Sequence, residues 1–300
     1  MKSEDTEGAF ELYVTRTPGY LWALLFRKLR VHPIAVTLLS IVIGAAAGYF
    51  FFFDDLTMNI AGMLLLVWAN WYDCADGQLA RMTGQKTLIG RILDGFAGDV
   101  WFFSIYFFLC LRLTPQTAPW GSPWGVWIWL VAAWSGFHCH ARQCALADYY
   151  RNAHLYFQKG DAGSELDSYD QQRALMKSLP WNRREWFRKI YLYFYANYTR
   201  GQERQAPAFR RFYLLMQERH PEGVPQAWRD RFCAASRPLM KYANILTFDA
   251  RVIVLFASLF AGLPWLFFVF EIAVLEPLRF YMRHVHESFC RRFAKELEHD

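Results

Sequence analysis

Two long stretches without a charged residue constrain this chain more than any other feature. Residues 34–53 are twenty consecutive uncharged positions, and residues 252–270 are nineteen more. A helix of about 20 residues crosses the hydrocarbon of a bilayer and closes its own backbone hydrogen bonds there, so runs of this length read as membrane spans. The hydrophobic content of 54% does not by itself separate a membrane protein from a soluble one; its distribution does. Weaker apolar stretches at residues 56–72, 100–111 and 124–137 are each cut short by polar side chains. The chain reads as an all-α integral membrane protein with six transmembrane helices, near residues 33–53, 57–82, 88–111, 124–142, 243–263 and 264–283. Pro264, directly after Gly262 and Leu263, suits a tight turn between the last two. Acidic residues near the start and the lack of a short apolar core there argue against a cleavable signal peptide, so the first span is expected to direct its own insertion.

The charges orient these spans. Of the 33 lysines and arginines, only Arg112 falls in a connection on the far side. The others precede the first span, flank the connection near Lys86, fill residues 142–251, or follow the last span. That one-sided distribution is the positive-inside pattern. It puts both termini, the second connection and the long insertion on the cytoplasmic side of a multi-pass protein, and the compact loops favour the cell (inner) membrane. The net charge of +6 suits a surface facing anionic headgroups. Basic residues spread over a whole face, not gathered in one patch, argue against nucleic acid as a partner.

Residues 1–32 read as an interfacial amphipathic segment, with Pro18–Gly19 interrupting the aromatic and basic stretch 13–29. Residues 33–148 carry the first four spans and residues 243–285 the last two. Between them, residues 149–242 are too polar to span and contain the breakers Gly160, Pro180, Pro207 and Pro221. They read as a cytoplasmic helical insertion, and residues 286–300 as a cytoplasmic tail. The six cysteines form no Cys-x-x-Cys pair and are expected to be reduced. The cluster His138, Cys139, His140 and Cys144 reads as ordinary packing, because neighbours on a helix point about 100° apart and these side chains cannot all converge.

Carboxylates inside a span are costly and mark function. Here the second span ends with Asp73, Asp76, Gly77, Ala80 and Arg81, and the third begins with Gly90, Asp94 and Asp99. At about 100° per residue, Asp76, Gly77 and Ala80 fall near −60°, +40° and −20° of Asp73, all on one face. Gly90 and Asp94 share a face of the next helix, and a short polar connection lets the two faces meet. Three carboxylates gathered in this way repel one another unless a cation lies among them. Hard oxygen donors select Mg²⁺, Mn²⁺ or Ca²⁺ over zinc. Small residues at Gly77 and Ala80 leave room for a ligand or for close helix packing, and Arg81 is placed to hold a phosphate oxygen. A Gly/Ala packing seam with structural ion pairs would explain the small residues, but not the excess of acids.

These residues resemble the signature of the CDP-alcohol phosphatidyltransferases, Asp-x2-Asp-Gly-x2-Ala-Arg-x8-Gly-x3-Asp-x3-Asp. Asp73, Asp76, Gly77, Ala80, Arg81, Gly90 and Asp94 match it in identity and spacing. The resemblance implies six membrane helices, a homodimer, and transfer of a substituted phosphoryl group from a CDP-linked donor such as CDP-diacylglycerol to an alcohol, with release of CMP. It implies that Asp73, Asp76 and Asp94 bind two divalent ions, Mg²⁺ or Mn²⁺. It further implies that Gly77 and Ala80 accommodate the nucleotide and that Arg81 helps to hold it. The pattern breaks at one point: the family's fourth aspartate, proposed as the general base, falls on Gly98, with the acid displaced to Asp99. A one-residue bulge, favoured by Gly95 and Gly98, would turn Asp99 inward. Activation of the acceptor by another group or by the metal alone, and loss of activity, are the competing explanations.

The acceptor is less legible. Arg142, Arg151, Arg251 and Arg279, near the ends of their spans, are candidates to bind an anionic acceptor or simply to anchor helices at headgroups. An inositol phosphate is preferred, followed by serine and glycerol 3-phosphate. An inactive scaffold of the same fold and a cation transporter are the alternative classes. The acids lie toward the span ends and no repeat is visible, which disfavours the transporter.

Overall fold

The computed structural model describes residues 11–160, 164, 166–183 and 185–299. The first ten residues of the expected interfacial segment, parts of the insertion and the last residue of the tail lie outside this set. The described residues form helices and contain no strand; an isolated bridge joins Thr117 and Pro123. They divide into two compact units, one of residues 11–138 with 251–271, the other of residues 139–250 with 272–299. Three helical stretches are long and apolar enough to cross a membrane: Pro33–Phe50, Ile89–Leu113 and Gln226–Phe260.

The first unit is built on α1 (Thr17–Lys28), α2 (Pro33–Phe50), α3 (Leu56–Thr83) and α4 (Leu88–Leu113), with α5 (Val126–Ala133) following. Pro18 does not interrupt the N-terminal stretch as expected. A π-helical turn, Glu11–Arg16, runs into α1, and Pro18 occupies its first turn, where no backbone N–H is needed. α1 and the turn before it lie against α3: the Trp71 indole donates to the Val14 carbonyl at 2.8 Å, and Tyr72 meets Trp22 and Phe26 edge to face.

α2 and α4 touch through glycine. A Cβ on Gly44 would fall 2.2 Å from the Trp101 ring, and one on Gly48 would meet Ser104 at 2.4 Å. Trp101 Nε1 and Ser104 Oγ then donate to the α2 carbonyls of Ser40 and Ala45, at 3.0 and 2.7 Å. Arg112, at the last turn of α4, is buried. It pairs with Asp54 at 2.5 Å and also donates to Asn59 Oδ1 and the Phe51 carbonyl.

Gly262, with φ of 67°, turns the chain between α11 (Phe248–Phe260) and α12 (Trp265–Phe270). Arg251, read above as a headgroup anchor or acceptor ligand, is neither. It is fully buried and paired with the equally buried Glu271 at 2.9 Å. The Tyr106 and Ser135 hydroxyls also donate to Glu271. Ser135 and Glu271 both sit on π-helical turns, Trp134–His140 and Glu271–Leu275.

The second unit contains α6 (Ala141–Lys159), α7 (Tyr169–Ser178), α8 (Trp186–Gln205), α9 (Pro207–Arg219), α10 (Gln226–Ile245) and α13 (Glu276–His299). Gly160 ends α6 with φ of 76°, and Pro207 opens α9. Phe157, Phe209, Phe212 and Phe232 form its aromatic core, all fully buried. Burial pushes the Glu203 carboxyl upward, opposed by the Tyr169 N–H that it accepts and by the Arg210 guanidinium 2.8 Å away. Within the expected span 243–263, α10 ends at Ile245, and after a break at Leu246–Thr247 α11 fills residues 248–260. Residues 286–299, read as a tail, are the second half of α13.

Candidate functional site

The hairpin of α3 and α4 is set by three local devices. Asp55 caps the start of α3, accepting the Met58 N–H at 2.9 Å. Gly84 ends it in the left-handed region, φ 69°, a conformation that only glycine adopts without strain. Three residues later Thr87 caps α4, accepting the Gly90 N–H at 3.0 Å. The turn returns the chain so that the acidic faces of both helices meet.

They do meet. One carboxylate oxygen each from Asp73, Asp76 and Asp94 lies within 4.8 Å of the others. Asp76 is buried, Asp73 half-buried and Asp94 exposed, so the cluster grades from the helix interface to an open mouth. The Thr37 hydroxyl of α2 faces Asp76. Asp73 Oδ1 and Asp76 Oδ2 are buried without a hydrogen-bond partner. A buried carboxylate oxygen left in this way is costly, and three converging carboxylates multiply the cost through like-charge repulsion. An all-oxygen, anionic donor set with orphaned atoms fits a hard divalent cation.

The remaining motif residues surround this cluster. The Arg81 guanidinium folds back so that its Nη1 lies 3.6 Å from where a Gly77 Cβ would stand. Ala80 is half-buried on the same stretch of α3. Gly90 sits over its own cap, with Thr87 Oγ1 3.1 Å from its absent Cβ.

The expected bulge in α4 is absent. The helix is α-helical without interruption from Leu88 to Leu113. Asp99 is exposed and lies about 140° round the helix from Asp94, because Gly95 and Gly98 do not break the hydrogen-bond ladder. Space beside both glycines is open.

Arg142 and Arg151 belong to the other unit. Arg142 is exposed on α6, and its carbonyl accepts from Gln205 Nε2. Arg151 donates to Asn244 Oδ1 and to Thr247 Oγ1. Arg279 pairs with Glu276 at 2.6 Å.

Sequence reasoning missed Thr37. Its only signal was a hydroxyl in an otherwise apolar run. Among the described residues, sets of three ligand atoms close enough to share an ion are the Asp73, Asp76, Asp94 trio and a second set on α13.

Among the described residues, a carboxylate trio converges beside an arginine where α3 turns into α4, and three helical stretches are long and apolar enough to cross a membrane; together these define a helical class of protein with an acidic site at a helix hairpin. Residues 30–156 match the family model of the CDP-alcohol phosphatidyltransferases, so this stretch of the chain is similar to that family. The family implies phosphatidyl transfer from a CDP-alcohol. No curated protein and no solved structure gives a match.

Proposed function

We propose that this protein is a metal-dependent membrane enzyme of phospholipid biosynthesis that transfers a phosphatidyl group from CDP-diacylglycerol, or a related CDP-alcohol, to the hydroxyl of a small polar acceptor. The observation that carries this reading is the meeting of Asp73, Asp76 and Asp94, with two of their oxygens buried and unpartnered, on the family's motif.

Asp73, Asp76 and Asp94 would hold Mg²⁺ or Mn²⁺, two ions by the family resemblance. Such ions supply neutralisation of the donor's pyrophosphate and polarisation of the phosphorus under attack. The chain's own residues do the rest. Gly77 and Ala80 leave the α3 face open to the nucleotide. Arg81, folded over Gly77, offers a fixed cation to a phosphate oxygen. The acceptor oxygen bonds to phosphorus as the bond to CMP breaks, and the acceptor proton must leave. The straight α4 favours activation without Asp99, whose role as base would require the helix to change register.

An inositol phosphate is our preferred acceptor, ahead of serine and glycerol 3-phosphate; Arg251 is no ligand for it, because Glu271 takes its charge. We place the site at the cytoplasmic face of the inner membrane in a homodimer surrounded by membrane lipids. The test is CMP release from CDP-diacylglycerol by the full chain in detergent with Mg²⁺ and a panel of alcohols. Release with one acceptor, abolished by chelation, supports the reading. Cation uptake into vesicles without CMP release would favour a transporter, and neither activity an inactive scaffold.

A further inference from the structure

The second unit holds a cluster that the proposed chemistry does not use. On α13, His286, Glu287 and Cys290 each bring one ligand atom within 4.8 Å of the others, and all three are buried. The His286 Nδ1 lies 3.6 Å from Cys290 Sγ and 3.8 Å from Glu287 Oε1. The Glu287 carboxylate is aimed by a neighbouring helix: it accepts the N–H groups of Ala208 and Phe209, at 2.6 and 3.3 Å, in the first turn of α9. The Tyr150 ring stacks on the imidazole with centroids 3.6 Å apart. Two polar atoms of this cluster, the Tyr150 hydroxyl and His286 Nε2, are buried without a hydrogen-bond partner.

The sulfur–nitrogen separation is that of a hydrogen bond as it stands, and the three ligand atoms are also spaced as around a metal. Zinc binds thiolate at about 2.3 Å, imidazole at about 2.0–2.1 Å and carboxylate at about 2.0–2.2 Å in a tetrahedron. Such a centre separates sulfur from nitrogen by about 3.6 Å and nitrogen from oxygen by about 3.4 Å. The observed separations are 3.6 and 3.8 Å, the second a few tenths long and adjustable by one Glu287 torsion. At 3.8 Å, by contrast, nitrogen and oxygen are too far apart to hydrogen-bond. The donors are also of a different kind from those between α3 and α4. A thiolate and an imidazole select a borderline or soft ion, where the aspartates select a hard one. One thiolate and one carboxylate balance a divalent charge, so the buried cluster would be neutral when filled.

We propose that His286, Glu287 and Cys290 form a structural zinc site in the second unit, separate from the Mg²⁺ or Mn²⁺ site of the first. Its role is to tie α13 to the start of α9 through the shared Glu287 carboxylate. The test uses the full chain, purified in detergent without a polyhistidine tag or chelator. Elemental analysis after dialysis is expected to give about one zinc per chain. Replacement by Co²⁺ is expected to give tetrahedral visible bands and a sulfur-to-cobalt charge-transfer band in the near ultraviolet. Cys290→Ser should remove the charge-transfer band. Cys110→Ser and Asp76→Asn should retain it, which separates this site from other thiols and from the aspartate cluster. If Cys290→Ser does not fold, the wild-type spectrum alone decides. Folded wild type with less than a tenth of a zinc per chain and no cobalt–thiolate band overturns the proposal, as does a band that survives in folded Cys290→Ser.

Discussion

Arg251 and Glu271 form an ion pair that no solvent reaches, 2.9 Å from Nε to Oε1, with the Tyr106 and Ser135 hydroxyls completing the carboxylate's shell. Removing one member of such a pair leaves the other charge buried and uncompensated. Glu271→Leu or Arg251→Met should therefore cost about 3–5 kcal/mol of stability. The double variant Arg251→Met/Glu271→Leu should recover much of the loss. Denaturation midpoints of the purified variants, compared as a double-mutant cycle, check this; additive losses would show that the two residues do not act as a pair.

The aspartate cluster should make metal and stability interdependent. Without a divalent ion, Asp76→Asn removes a like charge from the cluster and should melt at or above wild type. With Mg²⁺ at about 100 times its dissociation constant, wild type should gain about 2.7 kcal/mol, and the variant much less. A reversal of rank between chelator and Mg²⁺ in a thermal melt is the expected result. CMP release should fall in the same variant by at least ~100-fold.

Asp99 and Gly98 separate the readings of α4. A general base contributes about 10²–10⁴-fold. With the helix regular through this turn, Asp99→Asn should keep CMP release within about threefold of wild type, well short of a base's contribution. Gly98→Asp meets no neighbour and should fold normally. A loss of more than about 100-fold in Asp99→Asn, with CDP-lipid binding intact, would mean that α4 re-registers during turnover.

The contact between α2 and α4 leaves no room for a methyl group at Gly44, where a Cβ would stand 2.2 Å from Trp101. Gly44→Ala should destabilise the protein by about 1–3 kcal/mol through overpacking. Adding Trp101→Phe should restore part of the loss, read by the same melts.

The acidic site was legible because its signal is local. Asp73, Asp76 and Asp94 fall on two helices joined by a four-residue turn, and helical periodicity alone brings them to one face. The apolar runs marked α2 and the helices around Gly262 for a similar reason: length and absence of charge are properties of contiguous residues. What stayed hidden depends on partners distant in the chain. Arg251 looked like a headgroup anchor because Glu271 is twenty residues away, across the turn at Gly262 and on a π-helical turn that no periodicity announces. His286, Glu287 and Cys290 looked unremarkable because the group that aims Glu287 is the first turn of α9, nearly eighty residues earlier. The bulge expected near Gly98 failed for the opposite reason: two glycines loosen a helix without obliging it to break, and the ladder through residues 88–113 holds.

The glycine seam gives α4 two unlike halves. From Trp101 onward it is clamped, its side chains bonded to the backbone of α2 and its last turn locked by Arg112 on Asp54. Before Trp101 it passes Gly95 and Gly98 with open space beside each. That half is still packed: Ala97 is fully buried and Gly90 faces Ile34 of α2. Asp94 therefore stands on the half of α4 held by small side chains, while the half beyond it is also bonded to α2 through its side chains.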